Sequence, residues 1–427
     1  VIDLTAVFRN FGRVMAAAML LLSAWVSVAS AQTPDSIDVA ADAAYPRVWL
    51  VTIEPGEVYW QRFGHNTILI QDTPDARAVS YNFGYFDFEQ QDFFVRFLRG
   101  RMVYQAIALD ADRDLRGYIE EGRRVWLQRL RLSAEQTARL SSHLQTHVQP
   151  QNREYRYDYF SSNCSTKLRD ALDIALDGSF KRNTEFRSHG WTHRRFARAY
   201  SRSLPWLYLS IDLGLGQPVD RPLSLWEEAF IPGELKRRLR DEKTADGLPL
   251  VIEEQMLPTG SSATEIWPEP PDWRPLFAAA GVLLAGLLLS LSSQSTRHPI
   301  ARVFAGGLGA LVSMGLGLSG LLLTGLWLGT DHMSAWRNEN LLLFLPLWLL
   351  TLPAWWQFTR GRHSHGIWRL ARAVAALALA AASFALGAKA LRGFDQANIE
   401  WILMLLPVIT ALWLSLRRTG VMHAANR

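Results

Sequence analysis

The chain has 427 residues, 45 Lys and Arg against 40 Asp and Glu, and 49% hydrophobic residues. That apolar content excludes a disordered chain, and the lone cysteine, Cys164, excludes an intramolecular disulfide framework. The excess of five positive charges is accounted for by arginines beside apolar stretches, so no nucleic-acid partner is called for.

In chain order, an apolar run over residues 14–31 follows Arg9 and Arg13 and ends in Ala29-Ser30-Ala31, the pattern of a cleavable signal peptide over 1–31. Residues 32–258 read as one periplasmic catalytic domain of α+β type. Strands are expected at 47–53, 65–71 and 79–83, with turn signals at Glu54-Pro55-Gly56 and Asp72-Thr73-Pro74-Asp75. Helices are expected at 112–122, 133–147 and 164–176, the second opening with Ser133 and Glu135-Gln136. Residues 259–275 form a Pro-rich linker whose Trp267 and Trp273 suit a membrane interface.

Five apolar stretches follow, at 276–292, 303–329, 341–358, 367–391 and 399–416, each near the length needed to cross a bilayer. Residues 276–418 are therefore expected to form an all-α bundle of five transmembrane helices, with a cytoplasmic tail at 419–427. Charge agrees with that orientation. Arg297, Arg302, Arg360, Arg362, Arg369, Arg372, Arg417 and Arg418 fall inside, while Arg337 and Arg392 fall outside among Asp331, Glu339 and Asp395. These features predict a multi-pass protein of a bacterial inner membrane. Gly306, Gly307, Gly309, Gly315, Gly317 and Gly320 of the second span predict close helix packing.

Cys164 lies where Asn163-Cys164-Ser165-Thr166 opens a helix. In an oxidising compartment it has no intramolecular partner, and a helix N-terminus favours the thiolate. These points make it a candidate nucleophile rather than a small buried hydrophobe. Its candidate base is His65, which follows Gly64 at the start of an apolar strand where a rigid element can aim it. His143 and His147 share a helical face but lack the intervening glutamate and third ligand of a metal site, so neither a metal nor another cofactor is expected. His363 and His365 fall on the cytoplasmic side.

Several motifs carry a family resemblance. Gly64-His65 with Ile68 and Ile70, Tyr81-Asn82-Phe83-Gly84, Arg99-Gly100-Arg101, Asn163-Cys164-Ser165-Thr166, Gly216-Gln217-Pro218-Val219-Asp220, and Asp331-His332 with Asn338-Glu339-Asn340 occur in an order that resembles the Lnb-type lipoprotein N-acyltransferases. More distantly, a His strand preceding an Asn-Cys helix resembles the permuted papain or NlpC/P60-like thiol folds. The resemblance implies acyl transfer from a phospholipid donor through a Cys164 thioester to the N-terminal amine of a lipoprotein acceptor. Asn163 and backbone N–H groups are candidate oxyanion donors. Asn82 is the first choice to orient His65, with Asp87 and Asp158 as rivals. Arg99 and Arg101 are candidates for a phospholipid head group, and His332, Asn338 and Asn340, on a short outer loop, are candidates to meet the substrate or the catalytic domain at the bilayer surface, or to cap a helix. A membrane-tethered thiol hydrolase, peptidase or lipase, and a non-catalytic sensor module are the alternatives.

Overall fold

The computed structural model describes residues 45–87, 89–258 and 269–425. The expected signal peptide and most of the expected linker lie outside the described residues. The N-terminal domain is built on a seven-stranded antiparallel sheet: β1 (Arg47–Ile53), β2 (His65–Gln71), β3 (Val79–Tyr85), β4 (Val103–Asp110), β5 (Val125–Leu130), β6 (Glu154–Arg156) and β7 (Val251–Met256), in spatial order β6-β4-β3-β2-β1-β5-β7. Every residue of β1 is buried, which explains its unbroken apolar run: the strand is central and covered on both faces.

Register sets which face of the sheet each side chain joins. Val48 pairs with Ile70 and Leu50 with Ile68, so one sheet face is a continuous apolar surface extended by Tyr81 and Phe83. Against it packs the helix Cys164–Ala175 through Leu168, Ala171, Leu172 and Ala175, an i, i+3, i+4, i+7 stripe of residues with 0% exposure. Each fully buried leucine of that stripe contributes about 1.5–3 kcal/mol. The helix is thus fixed along its length, and its first residue is held with it. On the sheet's other side, the helix Ala111–Glu120 brings Asp114 to Ser80 and Asn82 of β3.

Five segments are long and apolar enough to cross a membrane: Arg274–Gln294, Pro299–Gly329, Glu339–Thr359, His365–Ala390 and Ile399–Arg417. The third is not a continuous helix. It runs as 3₁₀ turns at Glu339–Leu342 and Pro346–Thr351 before the α-helix Leu352–Thr359, with Pro346 and Pro353 as the cause of the breaks. Such a backbone survives at membrane depth only when protein encloses it. The second span supplies that cover: a Cβ on Gly309 would meet the Trp355 ring at 2.6 Å, one on Gly317 would meet Leu349 at 2.7 Å, and one on Gly320 would run into the Phe344 carbonyl. Trp355 Nε1 donates to Ser313 Oγ on the same stripe (2.9 Å). Gly307 and Gly315 face open space, so close packing belongs to Gly306, Gly309, Gly317 and Gly320 and not to all six glycines.

A buried polar seam joins the domain to the spans. Arg194 and Arg198 share Asp212, Arg198 also reaches Glu400 and the Ala397 carbonyl, and Trp401 Nε1 donates to Asp212 (2.9 Å).

Candidate active site

Gly64 adopts φ +80°, and a Cβ there would meet the Ile53 carbonyl at 2.8 Å, so this turn suits glycine and sends the chain into β2 with His65 as its first residue. His65 Nε2 lies 2.9 Å from Asn82 Oδ1 on β3. With Nε2 donating to that carbonyl oxygen, Nδ1 is left for the thiol. Asn82 is 5% exposed and itself fixed: its Nδ2 donates to Ser80 Oγ (3.0 Å) and Asp114 Oδ2 (2.8 Å). Ser80 Oγ donates to the same Asp114 oxygen (2.6 Å) and lies 2.7 Å from Thr67 Oγ1. The rivals are occupied elsewhere. Asp158 accepts from Phe160 and Ser161 N–H groups in its own turn, and Asp87 from Glu89 N–H.

Cys164 is the first residue of its helix and half-buried. Burial opposes ionisation of the thiol, but the His65 charge and hydrogen bond, with N–H donors from Asn66 and Ser165, outweigh it and hold the pKa below the ordinary thiol value. Burial likewise opposes charging of His65. The Cys164 thiolate and the hydrogen bonds to Cys164 and Asn82 prevail and raise the imidazole above its ordinary value. Both shifts favour one state, a thiolate beside an imidazolium.

Asn163 is the helix N-cap: its Oδ1 accepts from Thr166 N–H (2.9 Å), and Thr166 Oγ1 accepts from Asn163 N–H (2.8 Å). Its Nδ2 donates to the Tyr159 (3.0 Å) and Phe230 (2.9 Å) carbonyls. Both amide hydrogens are spent on building the turn, so Asn163 offers none to a ligand. Opposite the thiol, Gly84 sits in a β-bulge at φ +98°, and a Cβ there would stand 3.7 Å from Cys164 Cβ and 4.0 Å from the Tyr157 ring.

The remaining expected residues lie nearer the membrane domain. Arg101 Nε pairs with Asp331 Oδ2 at 2.7 Å, which Arg156 shares, and the Arg99 carbonyl accepts from Asp331 N–H. His332 Nε2 donates to the Phe97 carbonyl (2.9 Å). Asn338 and Asn340 are 2% and 0% exposed: Asn338 Nδ2 donates to the Leu213 carbonyl (2.8 Å), and Asn340 Oδ1 accepts from Asn398 (2.9 Å). These two asparagines tie the domain to the spans instead of presenting amides to a ligand. Asp114 escapes sequence reasoning, because an acid in a helix's first turn reads as a dipole partner.

Removing the Asn82 acceptor destabilises the imidazolium, and with it the thiolate. Asn82→Ala is expected to shift the pH midpoint of Cys164 alkylation upward, as loss of a charge-assisted hydrogen bond to the imidazolium implies. An unmoved midpoint measured with iodoacetamide would remove Asn82 from the relay.

Residues 33–198 match the family model described as the Lnb N-terminal periplasmic domain, and residues 272–406 match that of the Lnb transmembrane domain. No curated protein and no solved structure matches the chain.

Proposed function

The chain belongs to the Lnb family, with its periplasmic domain and its five-helix transmembrane domain, and from that premise we propose that it is a membrane-bound N-acyltransferase acting on lipoproteins. The observation that carries the reading is the Cys164–His65 pair, tuned toward thiolate and imidazolium on a domain seamed to membrane spans. A His strand ahead of a Cys helix also supports a permuted NlpC/P60-like thiol fold.

Cys164 Sγ attacks the ester carbonyl of a phospholipid, forming a C–S bond and an oxyanion. Backbone N–H groups at the helix start, which lack intrahelical acceptors, stabilise that oxyanion. Collapse breaks the ester C–O bond, His65 gives its proton to the departing alkoxide, and a lysophospholipid leaves. The lipoprotein α-amine then attacks the thioester, His65 takes the amine proton, and the C–S bond breaks to restore the thiolate. Arg99, exposed at the end of its helix, is available to a head-group phosphate.

The test is mass spectrometry of a reporter lipoprotein's N-terminal peptide in cells with and without the protein. Gain of one N-linked acyl chain is expected. Release of free fatty acid without that gain would replace this reading with a lipid hydrolase, and cleavage of peptidoglycan peptides would make it a peptidase. The domain expressed alone, from Gln32 to Pro258, is expected to lose transfer between bilayer substrates, since the seam would then lie open.

A further inference from the structure

The helix Phe93–Arg99 buries none of its residues, although its sequence is Phe-Phe-Val-Arg-Phe-Leu-Arg. Phe94 and Leu98, four residues apart on one face, are 70% and 66% exposed. Phe93 and Phe97 form the inner stripe, stacked on each other with centroids 6.5 Å apart. An apolar face of this kind in water is costly and marks a contact.

Its position says which contact. The Arg99 and Phe97 carbonyls are hydrogen-bonded by Asp331 and His332, and Asp331 stands two residues beyond Gly329, where the second span ends. The salt bridges from Arg101 and Arg156 to Asp331 hold the same junction. The helix is therefore fixed at the outer mouth of a membrane span, whose last turn exposes Leu328 (77%). Arg96 and Arg99 beside the apolar face complete the pattern of an interfacial helix.

From the inner stripe a row of rings leads back to the nucleophile. Phe93 stacks on Phe86 (6.3 Å), Phe86 lies against Tyr104 (5.1 Å), Tyr104 stacks on Tyr157 (4.1 Å), and Tyr157 borders Gly84 beside Cys164. These four rings are only half-buried, so the row keeps an open side. At its end Gly84 carries no side chain to occupy the gap between the Tyr157 ring and Cys164 Cβ.

We propose that the helix Phe93–Arg99 dips into the periplasmic leaflet and that the aromatic row running from it to Gly84 guides a fatty acyl chain from the bilayer to Cys164. The proposal rests on the acyltransferase reading for its ligand. It assigns the lipid's route to the periplasmic domain, along rings that need only apolar contact and so accept chains of varied length.

The test uses the full-length protein in phosphatidylethanolamine/phosphatidylglycerol vesicles, with thioester formation on Cys164 followed from two donors: the bilayer phospholipid and a water-soluble short-chain p-nitrophenyl ester. For Phe94→Glu/Leu98→Glu, the ratio of bilayer-donor to soluble-donor rates is expected to fall about tenfold or more, as loss of two inserted apolar side chains implies. An unchanged ratio overturns the route and leaves the acyltransferase reading standing. If the wild-type protein forms no acyl-Cys164 from either donor, the acyltransferase reading falls instead. A second measurement then decides the membrane contact: Phe94→Cys in the Cys164→Ala background gives a single thiol for an environment-sensitive fluorophore. Emission typical of the acyl region, quenched by lipids brominated in their chains, supports insertion. Emission typical of water overturns it.

Discussion

Replacing Cys164 by alanine or serine is expected to abolish acyl transfer, a loss of more than about a thousandfold, as for removal of a nucleophile acting as one unit with its base. The serine variant keeps size and shape but not chemistry, because a hydroxyl beside His65 stays protonated where a thiol ionises. Stability should barely change. The side chain is small, half-buried and at a helix start set by Asn163 and Thr166, so the cost to folding is about 1 kcal/mol or less. The reporter lipoprotein's N-terminal peptide reads the first effect and thermal unfolding in detergent the second. Wild-type acylation by Cys164→Ala would discard the thioester mechanism.

The second large effect belongs to His65. His65→Ala should be nearly as damaging as Cys164→Ala, and the double variant little worse than either single one, because two groups sharing one step do not contribute additively. Alkylation separates the roles. In the wild type the acid limb of the iodoacetamide rate follows the lowered thiol pKa, so labelling at a given pH is faster than that of an ordinary thiol. Activity that also needs the imidazolium declines on the alkaline side, as pH rises through the raised pKa of His65. Without His65 the charge and hydrogen bond that favour the thiolate are gone, burial and the remaining N–H donors act alone, and the acid limb moves up in pH. Equal labelling profiles would make His65 a packing residue and place the base elsewhere.

What the sequence revealed of this arrangement was local. A lone cysteine behind an Asn cap and a histidine behind a glycine stand out because each depends on its immediate neighbours, and the structure brings them together with Asn82. β1 and β2 were legible from their apolar runs, and β3 nearly to its end at Tyr85. β6 was not: Glu154–Arg156 is three residues long with two charged side chains, and it pairs only because β4 offers an edge. Asp114 was silent for the same reason, since its partners Ser80 and Asn82 lie 34 and 32 positions away. Asn338 and Asn340 were read as meeting either the substrate or the domain, or as capping a helix, because a polar loop at a membrane surface carries no local sign of the element that covers it. Their covering partners, Leu213 and Asn398, lie on opposite sides of them in the chain.

The seam has a consequence for biosynthesis. Arg198 and Asp212 are translated and exported long before Glu400 and Trp401, which meet them only after four spans have been threaded and the fifth begun. Until then the nascent domain carries a half-built ion network turned toward the bilayer, and a chain stopped before residue 400 leaves those charges partly uncompensated. A chain that ends before the last span therefore carries a domain whose polar seam lacks its final partners, Glu400 and Trp401. The start of the final span, and not its full length, is what closes the seam between the domain and the membrane.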